Sequence, residues 1–378
     1  MLMRIPAVLL AFALILARQG TPVPPPQPPQ PSFDEWLRAV RDEAKARGIS
    51  EATLDAAFTG LEPLPIVVER DRSQAEILQT LDSYLAQHVS SKVVRTARVK
   101  RTEQSAVLRK VAEKYGVPPA ILVAVWGLES NFGRFSGVRP TIQTLATLAY
   151  DPRRSAMFRQ ELFDALSILD SGDVEPAAMR GSWAGALGQP QFMPSSFLLY
   201  AQDFDGDGRR DIWTSAPDVF ASIGNYLSAK GWTRDQAWGR EVRVPAATLE
   251  ALAQTAPFQT QGCLARRQMT VPMPVSGWSK LGVRTRTGGP LPASDIEASL
   301  VSGVKRHFLV YPNYQAILEY NCVNAYALSV ALLADATGSG SSDSPGSSGS
   351  KGSKGSKGSK GSKSSKGSKG STTKTKKT

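Results

Sequence analysis

One carboxylate stands out by its surroundings. Glu129 is the only charge in residues 121–133, ILVAVWGLESNFG, a stretch that is otherwise almost wholly apolar. Helical spacing sets Val125 and Phe132 on its side, and Asn131 and Gly133 are poor helix formers, so the helix is expected to end beside it. A carboxyl held there is partly desolvated, which disfavours the charged form and raises its pKa. Kept protonated near neutral pH, it can pass a proton to a leaving oxygen as a general acid. The competing reading is a core Glu bonded to backbone amides or to an Arg, and this segment alone does not choose between them.

Two further segments carry chemistry. Residues 181–196 read GSWAGALGQPQFMPSS. Their glycines let a substrate approach the backbone closely. Gln189 and Gln191 add amides that donate and accept, and Phe192 and Met193 add apolar faces that suit a sugar ring. An ordinary Gly-rich connection has the same composition. Residues 203–211 read DFDGDGRRD. Asp203, Asp205 and Asp207 fall at positions 1, 3 and 5 of an EF-hand loop, Gly208 at 6 and the Arg209 carbonyl at 7. Position 12 is Thr214, where that loop needs a bidentate Glu, so the strict motif fails. Asp218, four residues on, can close a longer loop. Three aspartates this close repel one another without a cation, so the expectation is a structural divalent ion; an Asp/Gly turn is the alternative.

Other chemistries are excluded by what is scarce. The chain holds two Cys, Cys263 and Cys322, and two His, His88 and His307. That rules out a zinc finger, an iron–sulfur ferredoxin and a His-rich metal centre. Neither His sits in a recognisable nucleophile motif, and no cofactor is expected to take part in catalysis.

The elements that must position these residues are mainly helical. Residues 32–99 (with apolar faces at 33–40 and 77–85), 106–115, 119–130, 141–170, 195–201, 217–230 and 314–333 show helical periodicity or helix signals. Between 240 and 312 the texture changes, with short strands expected at 241–244, 268–275 and 306–311. The fold class is mainly α (α+β). Expected boundaries are an N-terminal helical region at 32–110, a core at 111–239, a small β-containing insertion at 240–312, and a helix returning to the core at 313–336. Asp151 and Glu161, the other acids considered near Glu129, read as surface helix charges.

The ends of the chain differ from its middle. Residues 1–20 hold one Arg and an apolar run at 5–17, which is short against the roughly 20 residues that span a bilayer. The pattern is a signal peptide, with an uncleaved anchor as the alternative. Residues 21–31 form a Pro-rich spacer. Residues 337–378 are a Gly/Ser/Lys tail read as disordered. It carries ten Lys and one Asp, so +9 of the net charge of +12 sits there. A basic groove for nucleic acid is therefore not indicated in the folded part. The tail is a solvated polycation suited to an anionic wall polymer or membrane surface, or an unselected appendage. Export permits one disulfide, Cys263–Cys322, which is favoured over two buried free thiols. With 41% hydrophobic and 21% charged residues, the chain is neither wholly disordered nor a polytopic membrane protein.

ESNFGRFSG, GSWAGALGQPQFMPSSF and YNCVNAY occur in that order. Together they resemble the B family of lytic murein transglycosylases over about residues 33–334. The resemblance implies a lysozyme-like core with a helical domain and a smaller β-containing part, acting on peptidoglycan glycan strands in the periplasm. It implies that Glu129 protonates the oxygen between N-acetylmuramic acid and N-acetylglucosamine. The same residue then deprotonates the muramyl 6-hydroxyl, leaving a 1,6-anhydro end. Intramolecular attack removes the need for the second carboxylate of an ordinary glycosidase. By the same resemblance Ser182, Gln191, Tyr226, Tyr320, Asn321, Tyr326 and Tyr84 line the cleft. Arg154, with Arg153 beside it, is a candidate partner for stem-peptide carboxylates. A lengthened calcium loop of Asp203, Asp205, Asp207, Arg209 and Asp218 is also implied. The alternatives are a hydrolytic muramidase and a non-catalytic peptidoglycan-binding protein.

Overall fold

Pro119 occupies the first turn of helix Pro119–Ser130, where its missing N–H costs nothing. Asn131 ends that helix in the left-handed region (φ 50°). Between these stops, Ile121 to Trp126 and Ser130 are buried. A helix that is apolar all round must be enclosed, and this one packs against Ser91–Glu103, Ser105–Tyr115, Ala216–Ala229 and Asn324–Thr337. The computed structural model describes residues 30–72 and 79–338. The signal segment at 1–20, nearly all of the Pro-rich spacer, Ile77 and Leu78, and the tail beyond 338 lie outside the described residues.

The chain opens with helices Phe33–Ala46, Glu51–Phe58 and Pro65–Arg72, then Leu81–His88. Ser32 caps the first of them in a reciprocal box with Glu35. These helices share one hydrophobic core with the helix carrying Glu129. The expected single helical stretch at 141–170 is two helices, Thr141–Tyr150 and Ser155–Asp170. The break follows Asp151, which caps the first helix and accepts from the Arg153 amide at 3.1 Å. The expected helix at 314–333 is likewise broken into Pro312–Tyr320 and Asn324–Thr337, bent by 116°. Among the described residues no single helix is long and apolar enough to cross a membrane.

The insertion has its own small core around Val242, Trp278, Val283, Leu300, Leu309 and Tyr311. Its antiparallel sheet runs in the order Met273–Pro274, Glu297–Ser302, His307–Val310, Gly239–Arg243, Arg284–Thr285. The strand expected at 268–275 shrinks to Met273–Pro274 because Pro272 and Pro274 supply no ladder N–H. Glu297–Ser302, the central partner of His307–Val310, was not expected. A disulfide joins Cys263 to Cys322 with Cα atoms 6.5 Å apart. It ties the insertion to the bend between the last two helices.

Candidate active site

Glu129 lies in the last turn of its helix and is half-buried. Burial pushes its pKa from 4.5 up to about 7. The Tyr326 hydroxyl opposes this by donating to Glu129 Oε1 at 2.5 Å. Burial first, then the neighbouring Glu129, raises the pKa of Tyr326, Tyr320 and Tyr84. Tyr84 stacks on His88, ring centroids 3.9 Å apart. Phenols from three separate elements thus feel this carboxyl, and Tyr326 touches it.

The helix ends abruptly enough to present that carboxyl. Asn131 and Phe132 both take positive φ, at 50° and 59°. Phe132 is therefore not on the helical face with Glu129. It folds back edge-on to Trp126, with ring centroids 5.8 Å apart. Ser130 Oγ donates to the Trp126 carbonyl at 2.9 Å and accepts from the Gly133 amide at 3.1 Å, which closes the turn.

The Gly-rich loop meets the far side of this cluster. The Tyr320 hydroxyl donates to the Pro190 carbonyl at 2.6 Å. Phe192 packs near Tyr226 and Tyr320, at 5.5 and 5.8 Å between centroids. The Tyr226 hydroxyl donates to the Glu319 carbonyl at 2.6 Å, so this ring offers its face and not its hydroxyl. Gln191 holds φ 54° and donates to the Gly188 carbonyl at 2.7 Å. Ser182 Oγ accepts from the amides of Ala184 and Ala186, which curls the loop. Gly181 is needed beneath it, since a Cβ there would meet the Ala186 carbonyl oxygen at 2.6 Å. Asn321 is exposed at the bend after Tyr320. A cavity of about 670 Å³ opens one turn along from Tyr84 and Tyr326, lined by Leu81, Phe258, Leu264, Arg267, Val323 and Asn324 among others.

Arg154 is not drawn into this cluster. It pairs with Asp71 at 2.7 Å, as Arg153 does at 2.6 Å. Asp151 and Glu161 are not surface helix charges. Asp151 is buried, bound to Arg153 and Arg72. Glu161 accepts from the Ser195 amide and hydroxyl at 2.9 and 2.8 Å, anchoring the start of helix Pro194–Tyr200.

The aspartate loop lies apart from the carboxyl. Carboxylate oxygens of Asp203, Asp205 and Asp218 lie within 4.8 Å of one another. Asp218 is fully buried and accepts from Phe204 N and Asp211 N at 2.7 and 2.8 Å. Burial, with Asp205 adding to it, raises its pKa to about 6. Three hard oxygen donors with this much mutual repulsion fit a calcium-like cation. Asp207 stands outside that trio, and its Oδ1 accepts from Arg209 N at 2.9 Å.

A family model described as the transglycosylase SLT domain matches residues 32–335. The chain belongs to this family. Membrane-bound lytic murein transglycosylase B of Escherichia coli K12 is 33% identical over 233 residues, covering 61% of this chain and 59% of that protein. The match thus spans less than two thirds of that relative's length. The structure is similar to SltB3 from Pseudomonas aeruginosa in complex with NAG-anhNAM-pentapeptide, with TM-score 0.74, 43% identity, and coverage of 81% of this chain and 79% of that one. It is also similar to the E. coli lytic transglycosylase Slt35 in complex with calcium, with TM-score 0.65, 26% identity, and coverage of 81% and 92%. The mainly helical, lysozyme-like class is shared with these family members.

Proposed function

We propose that this protein is an exported lytic transglycosylase that cleaves the bond between N-acetylmuramic acid and N-acetylglucosamine in peptidoglycan, with Glu129 as acid and then base. The observation that carries this reading is one desolvated carboxyl, its pKa near 7, held by the Tyr326 hydroxyl. Family membership and the sugar–peptide ligand of SltB3 support the substrate class.

Near neutral pH much of Glu129 carries a proton, available to the glycosidic oxygen as the bond breaks. The resulting carboxylate keeps the Tyr326 hydroxyl on Oε1, which leaves Oε2 to take the proton of the muramyl 6-hydroxyl. That hydroxyl then closes on the anomeric carbon, and the proton count on Glu129 is restored without water. Tyr320, backed by the buried rings of Phe192 and Tyr226, gives a ring for the sugars, and Gln191, Ser182 and Asn321 give polar edges for their substituents. Asp203, Asp205 and Asp218 would hold calcium, whose part is to neutralise and fix the loop.

Mass spectrometry of soluble products from peptidoglycan sacculi tests this directly. Muropeptides about one water lighter than their reducing counterparts are expected. Reducing ends would mean a muramidase and a missing second carboxylate. Absence of products from folded, calcium-loaded protein would mean a binding protein.

A further inference from the structure

The residue that joins the aspartate loop to the acid's helix is Gln189. Its Oε1 accepts from the Trp126 indole N–H at 2.6 Å. Trp126 sits one turn before Glu129 on the same helix and is buried. The Gln189 Nε2 donates to the Trp213 carbonyl at 2.7 Å, and its backbone N–H donates to the Ile212 carbonyl at 2.9 Å. Ile212 and Trp213 belong to the aspartate loop. Trp213 N donates to Asp211 Oδ1 at 2.9 Å, and Asp211 N donates to Asp218 Oδ2 at 2.8 Å. The side-chain amide therefore bonds one group from each region. Packing leaves no slack at this crossing. A Cβ on Gly133 would meet Gln189 Oε1 at 2.7 Å, and one on Gly188 would meet the Ile212 carbonyl at 2.6 Å.

We propose that Gln189 is a positioning residue that couples the aspartate loop to the helix end carrying Glu129, so that an ion held by Asp203, Asp205 and Asp218 orders the catalytic turn at a distance. The physical basis is that both partners of Gln189 are polar groups in a part-buried region. Losing either bond leaves an unmet donor or acceptor, which is costlier than a shift of the neighbouring element. A loop that closes around a cation can therefore move Trp126, and Trp126 carries the last turn with it. Site-to-site coupling of this kind is reciprocal. The consequence for turnover rests on the role proposed for Glu129; the physical link does not.

The test is amide hydrogen exchange on the full-length protein, with calcium and with chelator, in wild type, Gln189→Met and Gln189→Glu. In wild type, calcium should slow exchange at 203–218 and also at 126–133, the latter by on the order of tenfold, the scale of a typical coupling between sites. In Gln189→Met the slowing at 203–218 should persist and that at 126–133 should vanish. Gln189→Glu keeps an acceptor for Trp126 but no donor for Trp213, and should be uncoupled in the same way; it carries the test if the Met variant does not fold. Calcium-independent exchange at 126–133 in wild type, or coupling that survives both substitutions, would overturn the proposal. So would the absence of any calcium effect at 203–218. Product analysis is a separate measurement, so failure of the functional reading would be seen on its own.

Discussion

The aspartate loop and the Glu129 cluster each hold a carboxylate with a raised pKa, yet they are built in opposite ways. The loop is local: Asp203, Asp205 and Asp218 come from one short run, and backbone amides close around them. Its raised carboxylate faces other carboxylates, so it calls for a cation. The Glu129 cluster is dispersed: Tyr84, Tyr320 and Tyr326 come from elements far apart in the chain. Its raised carboxyl faces phenols and apolar groups, so it calls for a proton. The same direction of shift has different causes and different chemical uses.

The largest effect should come from removing the proton carrier. Glu129→Gln should lower release of soluble muropeptides by roughly 10³-fold or more, within the range of general acid–base contributions. Normal turnover by that variant would break the contrast outright.

The same substitution sharpens it on the stability side. Glu129 has a folded pKa of about 7 against an ordinary 4.5, so the folded state holds the proton more tightly than the unfolded one. That favourable contribution is full below pH 4.5 and is lost as pH rises through 7. Above pH 7 the folded wild type bears the penalty of a buried charge that Gln lacks, so Glu129→Gln should be more stable than wild type at pH 8, by up to about 3 kcal/mol as an upper bound, and about equal at pH 4. Thermal melts at both pH values read this out.

Removing the ion should act on the other region. Chelation should cost about 2–3 kcal/mol if calcium is near a hundred times its Kd, seen as a lowered Tm that calcium restores and magnesium restores poorly. An unchanged Tm would reduce the aspartates to a turn. The smallest effect is expected from Tyr326→Phe. Losing the hydroxyl removes the one interaction that lowers the Glu129 pKa, so the pH–rate profile should move upward. Turnover should fall by about tenfold, the scale of one hydrogen bond to a charged group.

These two regions also differ in how far they can be read from sequence. Asp203, Asp205 and Asp218 are legible from spacing, because local chain geometry sets which of them converge. Glu129 is legible from its apolar setting, but Tyr84 and Tyr326 reach it only through tertiary packing and entered through family resemblance. The Gln189 amide was legible as a donor and acceptor, but its partners, Trp126 and Trp213, are set only by tertiary packing. Asp151 looked like a surface charge because periodicity runs on through the break at 151–154. The strand Glu297–Ser302 escaped because four successive buried residues, Ala298 to Val301, carry no alternation. The helix stop at Asn131 was readable.

The most direct test is a carbon-13 NMR titration of the glutamate side-chain carboxyls in the folded protein, repeated on Glu129→Gln. The expected result is one resonance with a midpoint of about 7 that is missing from the variant. A Glu129 resonance titrating near 4.5 would contradict the desolvated acid and, with it, the single-carboxyl mechanism.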